Sequence, residues 1–152
     1  MDLETLQIEI YTLPFTIVGD GEKILSLEQK SSIDSLKPSK VLLAAKIELE
    51  LYLKGKLKKF SVPLKIGGTP FQKKVYEAMM KIPYCQVATY GELAMKVGSQ
   101  KGARAVGAAC NSNPLPIFVP CHRVVGVGGK LTGFAYGLSF KKTLLEMEKS
   151  ND

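Results

Sequence analysis

Apolar and polar residues alternate near the start of the chain, in the stretch LQIEI (6–10), and this period of two is typical of a half-buried β-strand. Further on, Asp20-Gly21 lies between two apolar runs, PFTIV and KILSL, which is the pattern of a β-hairpin. We therefore predict strands within residues 5–28 and a polar loop over residues 29–39.

The pattern becomes helical after Ser39. The stretch KVLLAAKIELELYLKG is rich in helix-forming residues and ends in Gly55, which suits the left-handed position after a helix. An extended segment, KLKKFSVPLKI, follows, and the breaker GGTP interrupts it. We predict a domain boundary there, near residues 63–69, which divides the chain into an N-terminal domain (1–66) and a C-terminal domain (67–152).

Capping signals mark the helices of the second half. Thr69 and Pro70 suit the N-cap and the first position of a helix. Thr89 and Glu92 fit a capping box, and the short helix that they begin is expected to end at Gly98. The segment PYCQVATYG between these helices is predicted to be extended.

Residues 89–111 have the spacing of a helix-turn-helix, with Ser99 as the cap of a second helix at about 100–111. The buried face of this second helix is predicted to consist of Ala103, Val106, Gly107 and Cys110. The opposite face is predicted to consist of Lys101, Arg104 and Ala108. Small residues such as Ala105 let the helix approach a bulky partner closely, either a duplex groove or the rest of the protein itself.

The composition is that of an ordinary globular protein of 152 residues, 45% of them hydrophobic. No apolar run approaches the roughly 20 residues of a membrane helix, and the acidic start lacks the basic region of a signal peptide, so we expect a cytoplasmic protein that does not bind membranes. Three cysteines without CxxC spacing predict neither a disulfide framework nor a metal site. The net charge of +7 fits a nucleic-acid partner, or simply a lysine-rich surface.

The stretch IFVPCHRVVG (117–126) contains the chain's one histidine, His122, directly after Cys121. A thiol reacts as its thiolate, so a neighbouring base or a positive charge such as Arg123 is needed to activate it near neutral pH. Adjacent side chains on a strand point to opposite faces, so contact within this pair requires a turn or a bridging water. The alternative is an inert buried cysteine.

The last predicted helix begins near Ser139, its expected cap, and continues through Lys149. Its apolar face consists of Phe140, Leu144 and Met147. Glu148 projects close to that face, where a carboxylate is costly unless it is paired.

Two kinds of partner fit Glu148. If it pairs with His122, then Cys121, His122 and Glu148 form a nucleophile, its base and an orienting acid. The alternative is an ion pair with Lys141 or Arg123.

Five stretches within residues 68–148 resemble, in this order, the O6-alkylguanine-DNA alkyltransferase family: GTPFQKKVY, IPYCQVATYGELA, GARAVGAACNSNPLPIFVPCHRVV, GFAYGL and LLEME. The resemblance implies an α/β (α+β) fold, in which a small ribonuclease H-like domain precedes a helical domain with the helix-turn-helix and an active-site segment at 113–125. It implies a monomeric DNA-repair protein without cofactor or metal. Such a protein flips a damaged nucleotide out of double-stranded DNA and moves the alkyl group from guanine O6, and secondarily from thymine O4, irreversibly to its own cysteine.

The resemblance also implies the roles of individual residues. Cys121 would accept the alkyl group, His122 would deprotonate it through a water, and Glu148 would orient His122. Tyr90 would protonate the departing guanine and contact the phosphate of the flipped nucleotide. Asn113 would position the active-site segment.

On the DNA side, the resemblance implies that Arg104 fills the gap left by the flipped base. Further DNA contacts are expected from Lys101, Ala105 and Ala108, and contacts with the base from Val124, Phe134 and Ala135. Cys85 stands where many relatives have glycine, Phe134 where many have tyrosine and Ala135 where many have serine, which puts the range of accepted alkyl groups in question.

Two other functions fit the same patterns, namely a lesion-binding protein without chemistry and a helix-turn-helix regulator. The set of Cys121, His122 and Glu148 favours alkyl transfer over both.

Overall fold

The structure is a computed structural model that describes residues 2–100 and 102–152. The chain divides into two compact units, the first ending at Lys65 and the second beginning at Ile66. None of the helices in the described stretches is long and apolar enough to cross a membrane. The assignment of a particular domain family to each half stays a prediction.

The first unit opens with an antiparallel sheet of three strands, β1 (Glu4–Ile10), β2 (Leu13–Gly19) and β3 (Ile24–Glu28), paired in that order. The alternating apolar residues of β1 are buried, and the predicted hairpin at Asp20-Gly21 joins β2 to β3, so both predictions are confirmed. The β1–β2 hairpin turns at Tyr11 and Thr12, which both have positive φ. Neither residue is typical of such a turn, so the sequence did not predict it.

Helix α1 (Lys40–Leu53) packs on this sheet. Ser39 caps it through a bond from Leu42 N, and Gly55 has a φ of 73° just after it, as predicted. The extended segment predicted beyond α1 is only partly present, because it makes one parallel bridge, between Leu64 and Ile24.

The second unit contains four helices and one pair of short strands among its described residues. Its elements are α2 (Pro70–Met80), β4 (Ala88–Thr89), α3 (Tyr90–Lys96), α4 (Gly102–Asn111), β5 (Val124–Val125) and α5 (Leu138–Ser150). Strand β4 pairs in parallel with β5, and this links the start of α3 to the residues that follow Cys121.

The capping predictions for α2 and α3 are confirmed. Thr69 and Thr89 each form a full capping box, and Pro70 occupies the first turn of α2. Helices α3 and α4 pack against each other, and Gly98, with a φ of 65°, lies in the connection between them. The helix-turn-helix order of the two elements is therefore present.

Three local predictions are wrong. Ser139 does not cap α5, because the helix already begins at Leu138 with Gly137 as its N-cap and without a side-chain cap. The segment PYCQVATYG is extended only in β4, since Cys85 has a φ of 64° and turns the chain before it. Ala103 is exposed on α4, where burial is confined to Val106 and Ala109 among the described residues.

Candidate active site

The active-site segment 113–125 is almost entirely buried, and Asn113 holds its first turn. The Asn113 side chain donates from Nδ2 to Val119 O (3.0 Å) and accepts at Oδ1 from Leu115 N (2.9 Å). These bonds close a loop whose prolines cannot supply backbone donors. Asn113 therefore fixes the direction in which the segment approaches Cys121.

Cys121, His122 and Arg123 form one turn of 3-10 helix after Pro120. Adjacent side chains on such a turn lie about 120° apart, compared with about 180° on a strand, so the two side chains diverge less than the strand reading predicted. Cys121 is 6% exposed and His122 is fully buried.

Glu148, on α5, is the partner of both His122 and Arg123. Its Oε2 lies 2.8 Å from His122 Nε2 and accepts from Arg123 Nη2 at 2.9 Å, and Arg123 Nε donates to both carboxylate oxygens at 3.0 and 3.2 Å. Glu148 therefore pairs with both His122 and Arg123, which the sequence had left as alternatives. Lys141 does not pair with it. Burial lowers the pKa of His122 below its ordinary value, although Glu148 acts in the opposite direction, so the ring is a neutral base.

Arg123 has a structural role that the sequence left open. Its Nη1 donates to Ile82 O at 2.8 Å, and the remaining guanidinium bonds are made with Glu148. Its charge therefore neutralises the buried carboxylate. The positive charge expected to activate Cys121 does not come from Arg123.

Cys85 supports the same carboxylate from the other side. Its backbone N–H donates to Glu148 Oε1 at 3.0 Å, and its left-handed φ of 64° directs the N–H there. Glycine would adopt this conformation without strain, so Cys85 carries a conformational cost here.

Lys141 was considered from the sequence only as a partner of Glu148, and its actual place in the site was not predicted. Its side chain is fully buried and donates to Val124 O (2.5 Å), Thr132 O (3.2 Å) and Gly133 O (3.4 Å), with the Tyr90 hydroxyl at 3.5 Å. The ammonium also lies 5.7 Å from the centre of the Tyr90 ring. Among the described residues no carboxylate pairs with this ammonium, and burial lowers the pKa of Lys141 below its ordinary value.

Tyr90 stands at the start of α3, where the capping box places it. Its hydroxyl donates to Thr132 O at 2.8 Å. Burial raises the pKa of Tyr90, while this hydrogen bond lowers it, so the phenol retains its proton at neutral pH.

The Cys121 thiol lines a small, narrow cavity. The cavity is lined by Cys110, Asn111, Asn113, Pro116, Cys121, Gly133, Phe134, Ala135 and Tyr136. Burial raises the pKa of Cys121, whereas a hydrogen bond with Asn113 and the charge of Lys141 lower it. Burial also raises the pKa of Cys110 to about 12, so the cavity holds two protonated thiols at rest.

The predicted base-contacting residues lie in different surroundings. Phe134 and Ala135 line the cavity, and the Phe134 ring stacks on Phe140 at 6.0 Å. Val124 is fully buried, and its carbonyl accepts the bond from Lys141. A base that contacts the Val124 carbonyl would therefore share its oxygen with the Lys141 ammonium.

The predicted DNA-contacting residues lie along α4. Arg104 and Ala108 are exposed and Ala105 is half-buried, while Lys101 lies outside the described residues. Arg104 and Tyr90 border one open, shallow groove. Among the described residues, no three His, Cys, Asp or Glu side chains are grouped to hold a metal ion.

Comparisons with known proteins show which sequences and structures this chain is similar to. Residues 70–150 match the family model described as 6-O-methylguanine DNA methyltransferase, DNA binding domain. A methylated-DNA–protein-cysteine methyltransferase of Methanosarcina acetivorans is 53% identical over 103 residues, which span 68% of this chain and 66%, just under two thirds, of the relative. One of Mycobacterium bovis is 40% identical over 145 residues, 90% of this chain and 87% of the relative. The crystal structure of Mycobacterium tuberculosis OGT in complex with DNA has a TM-score of 0.86 and 38% identity, and covers 95% of this chain and 92% of that one.

Proposed function

This chain belongs to the O6-methylguanine-DNA methyltransferase family, and from that premise we propose that it transfers an alkyl group from guanine O6 in double-stranded DNA to its own Cys121. The family resemblance and the mixed α/β fold expected from the sequence are thereby confirmed. The observation that carries the proposed reaction is the hydrogen-bonded set of His122 and Glu148 on the turn that bears Cys121.

The resting thiol needs a base, because burial keeps Cys121 protonated. Glu148 accepts from Nε2–H of His122, which makes Nδ1 the basic nitrogen. His122 would take the thiol proton through a water. The imidazolium that results is stabilised by the buried Glu148 carboxylate.

The transfer is a displacement at the alkyl carbon. The Cys121 sulfur donates an electron pair to form the new S–C bond, while the C–O6 bond breaks and its electrons pass to the guanine. Tyr90, whose phenol is protonated, would donate a proton to the departing base. A thioether is not reversed by thiol exchange, so each molecule would act once.

The charge distribution supports binding to the DNA backbone. Residues 1–65 contain 10 Lys and Arg against 9 Asp and Glu, a balance of +1, whereas residues 66–152 contain 11 against 5, a balance of +6. The positive charge is therefore concentrated in the unit that carries α3 and α4, where Arg104 would fill the gap left by the flipped base. Because the acceptor must remain a thiol and meet DNA, we place the protein in the reducing cytoplasm.

Intact-protein mass spectrometry after incubation with an O6-methylguanine duplex tests the proposal. We expect a gain of one methyl group per molecule, mapped to Cys121, which is lost in Cys121→Ala and retained in Cys110→Ala. DNA binding without any mass gain would instead support a lesion-binding protein. A methyl group on Cys110 would overturn the assignment of the acceptor.

A further inference from the structure

A basic groove lies between α2 and the end of α3 in the second unit. It is lined by Lys74, Glu77 and Ala78 of α2, by the α2 C-cap Lys81, and by Lys96 and Val97 at the end of α3. The α2 positions follow the i, i+3, i+4, i+7 spacing of one helix face, so Lys74 and Lys81 lie on the same face. The groove carries three positive charges against the one negative charge of Glu77.

The charges of this groove are not neutralised by neighbours. Lys74, Lys81 and Lys96 are exposed, and none of them forms a salt bridge with a described residue, Glu77 included. The helix dipole favours cations at helix C-termini, where Lys81 and Lys96 lie, but not at Lys74, which is in the second turn of α2. Stabilisation of the two helices therefore does not account for all three lysines.

We propose that this groove binds phosphates of the DNA duplex to one side of the damaged nucleotide. The proposal rests on the proposed function, because it concerns the same duplex. The groove ends at Val97, directly before the turn at Gly98 that leads into α4, so it adjoins the helix-turn-helix. The first helix of such a motif crosses the DNA backbone while the second enters a groove, so the end of α3 lies beside the path of that backbone.

The spacing of the lysines suits a DNA strand. Seven residues of helix separate Lys74 from Lys81 by about 10 Å. Successive phosphates of one strand are about 3.4 Å apart along the duplex axis, so three steps of the strand span the same length. A lysine binds a phosphate as a point charge, and these contacts are therefore independent of base sequence. Glu77 lies between the two lysines and repels a phosphate placed directly over it.

The salt dependence of binding to an undamaged duplex tests the proposal. Lys74→Gln, Lys81→Gln and Lys96→Gln together should reduce the slope of log K against log salt concentration by about 2–3, because each phosphate contact contributes about 0.9. The matched control is Lys54→Gln, Lys56→Gln and Lys59→Gln together, which removes the same charge from exposed positions of the first unit and should change the slope by less than about 1. Glu77→Gln should tighten binding several-fold at low salt. Equal slopes for the two triple variants refute the groove.

Shortened duplexes locate the contact. Removing base pairs on one side of the lesion should abolish the difference in affinity between the unaltered protein and the groove triple variant, whereas removing them on the other side should preserve it. A difference that survives both truncations contradicts the position proposed for the groove.

Methyl transfer separates this proposal from the proposed function. At saturating O6-methylguanine duplex, both triple variants should gain one methyl group on Cys121, because none of the replaced lysines lines the Cys121 cavity. If the unaltered protein binds DNA without gaining a methyl group, the proposed function is wrong, and the salt slopes still decide on the groove. If methyl transfer is normal and the slopes are equal, only the groove is refuted.

Discussion

Glu148→Gln is the sharpest test of how the candidate site is held together. The Glu148 carboxylate is fully buried and receives bonds from His122, Arg123 and the Cys85 backbone, with distances of 2.8 to 3.2 Å. Glutamine keeps the shape and one acceptor oxygen. It removes the negative charge, however, and turns an amide N–H₂ toward groups that are themselves donors.

The expected loss of stability follows from the Arg123 guanidinium, which loses its counter-ion. Arg123 is only 7% exposed, so the variant leaves a buried positive charge without its counter-ion. Breaking a buried ion pair from one side costs about 3–5 kcal/mol, out of a total stability of about 5–15 kcal/mol. For a chain of 152 residues, the midpoint of thermal unfolding should fall by at least about 6 °C.

Thermal unfolding followed by circular dichroism measures the effect, and Glu146→Gln is the matched control. Glu146 lies on the same helix but is exposed, and its ion pair with Lys142 at 3.8 Å should contribute less than about 1 kcal/mol. Adding Arg123→Met to Glu148→Gln should recover part of the lost stability, because the double variant no longer buries an unpaired positive charge. If Glu148→Gln melts within a few degrees of Glu146→Gln, the reasoning from buried charge is wrong.

Three further predictions concern the same site. Cys85→Gly should raise the unfolding free energy by about 1 kcal/mol in urea melts by removing the strain of a left-handed cysteine, whereas Cys85→Ala should not. Lys141→Met should slow methyl transfer at least about 10-fold. It should change the unfolding free energy by less than about 2 kcal/mol, because the variant loses the hydrogen bond to Val124 but no longer buries an ammonium. Stability should fall as the pH is lowered from about 7.5 to 5.5, because His122 takes up a proton more readily in the unfolded chain than in the folded protein. His122→Asn should flatten the plot of stability against pH over this range.

The elements that the sequence predicted well are those with local causes. Ser39, Thr69 and Thr89 cap their helices through bonds to residues only three positions away, so a short stretch contains the whole signal. The turn at Tyr11 and Thr12 has no such signal, because the pairing of β1 with β2 imposes it. Ala103 was misplaced because α4 buries only a narrow stripe against its neighbours.

The difference between local signals and contacts with distant residues also explains which site residues could be predicted. Glu148 could be found because a carboxylate beside an apolar face requires a partner, although the sequence could not choose between His122 and Arg123. Lys141 was named only as a possible partner of Glu148, and its contacts with the cavity wall were not predicted because it stands next to Lys142, and two adjacent lysines look alike in a sequence. A signal was nevertheless present, since Lys141 precedes Leu144 and Glu148 by three and seven residues and so shares their buried face.

In the proposed reaction, the charges around Cys121 would keep the thiol protonated until a base enters the cavity. Arg123 neutralises Glu148 and His122 is neutral, so neither generates a thiolate in the resting protein. The charge that no described carboxylate pairs with is that of Lys141, which is held against Tyr90 and the carbonyls of the cavity wall. A base that enters the cavity excludes water, and exclusion of water strengthens the field of that charge on both the sulfur and the departing guanine. In the proposed reaction, activation of Cys121 would therefore depend on occupancy of the cavity, which would keep the thiol from reacting with other electrophiles before a damaged base binds.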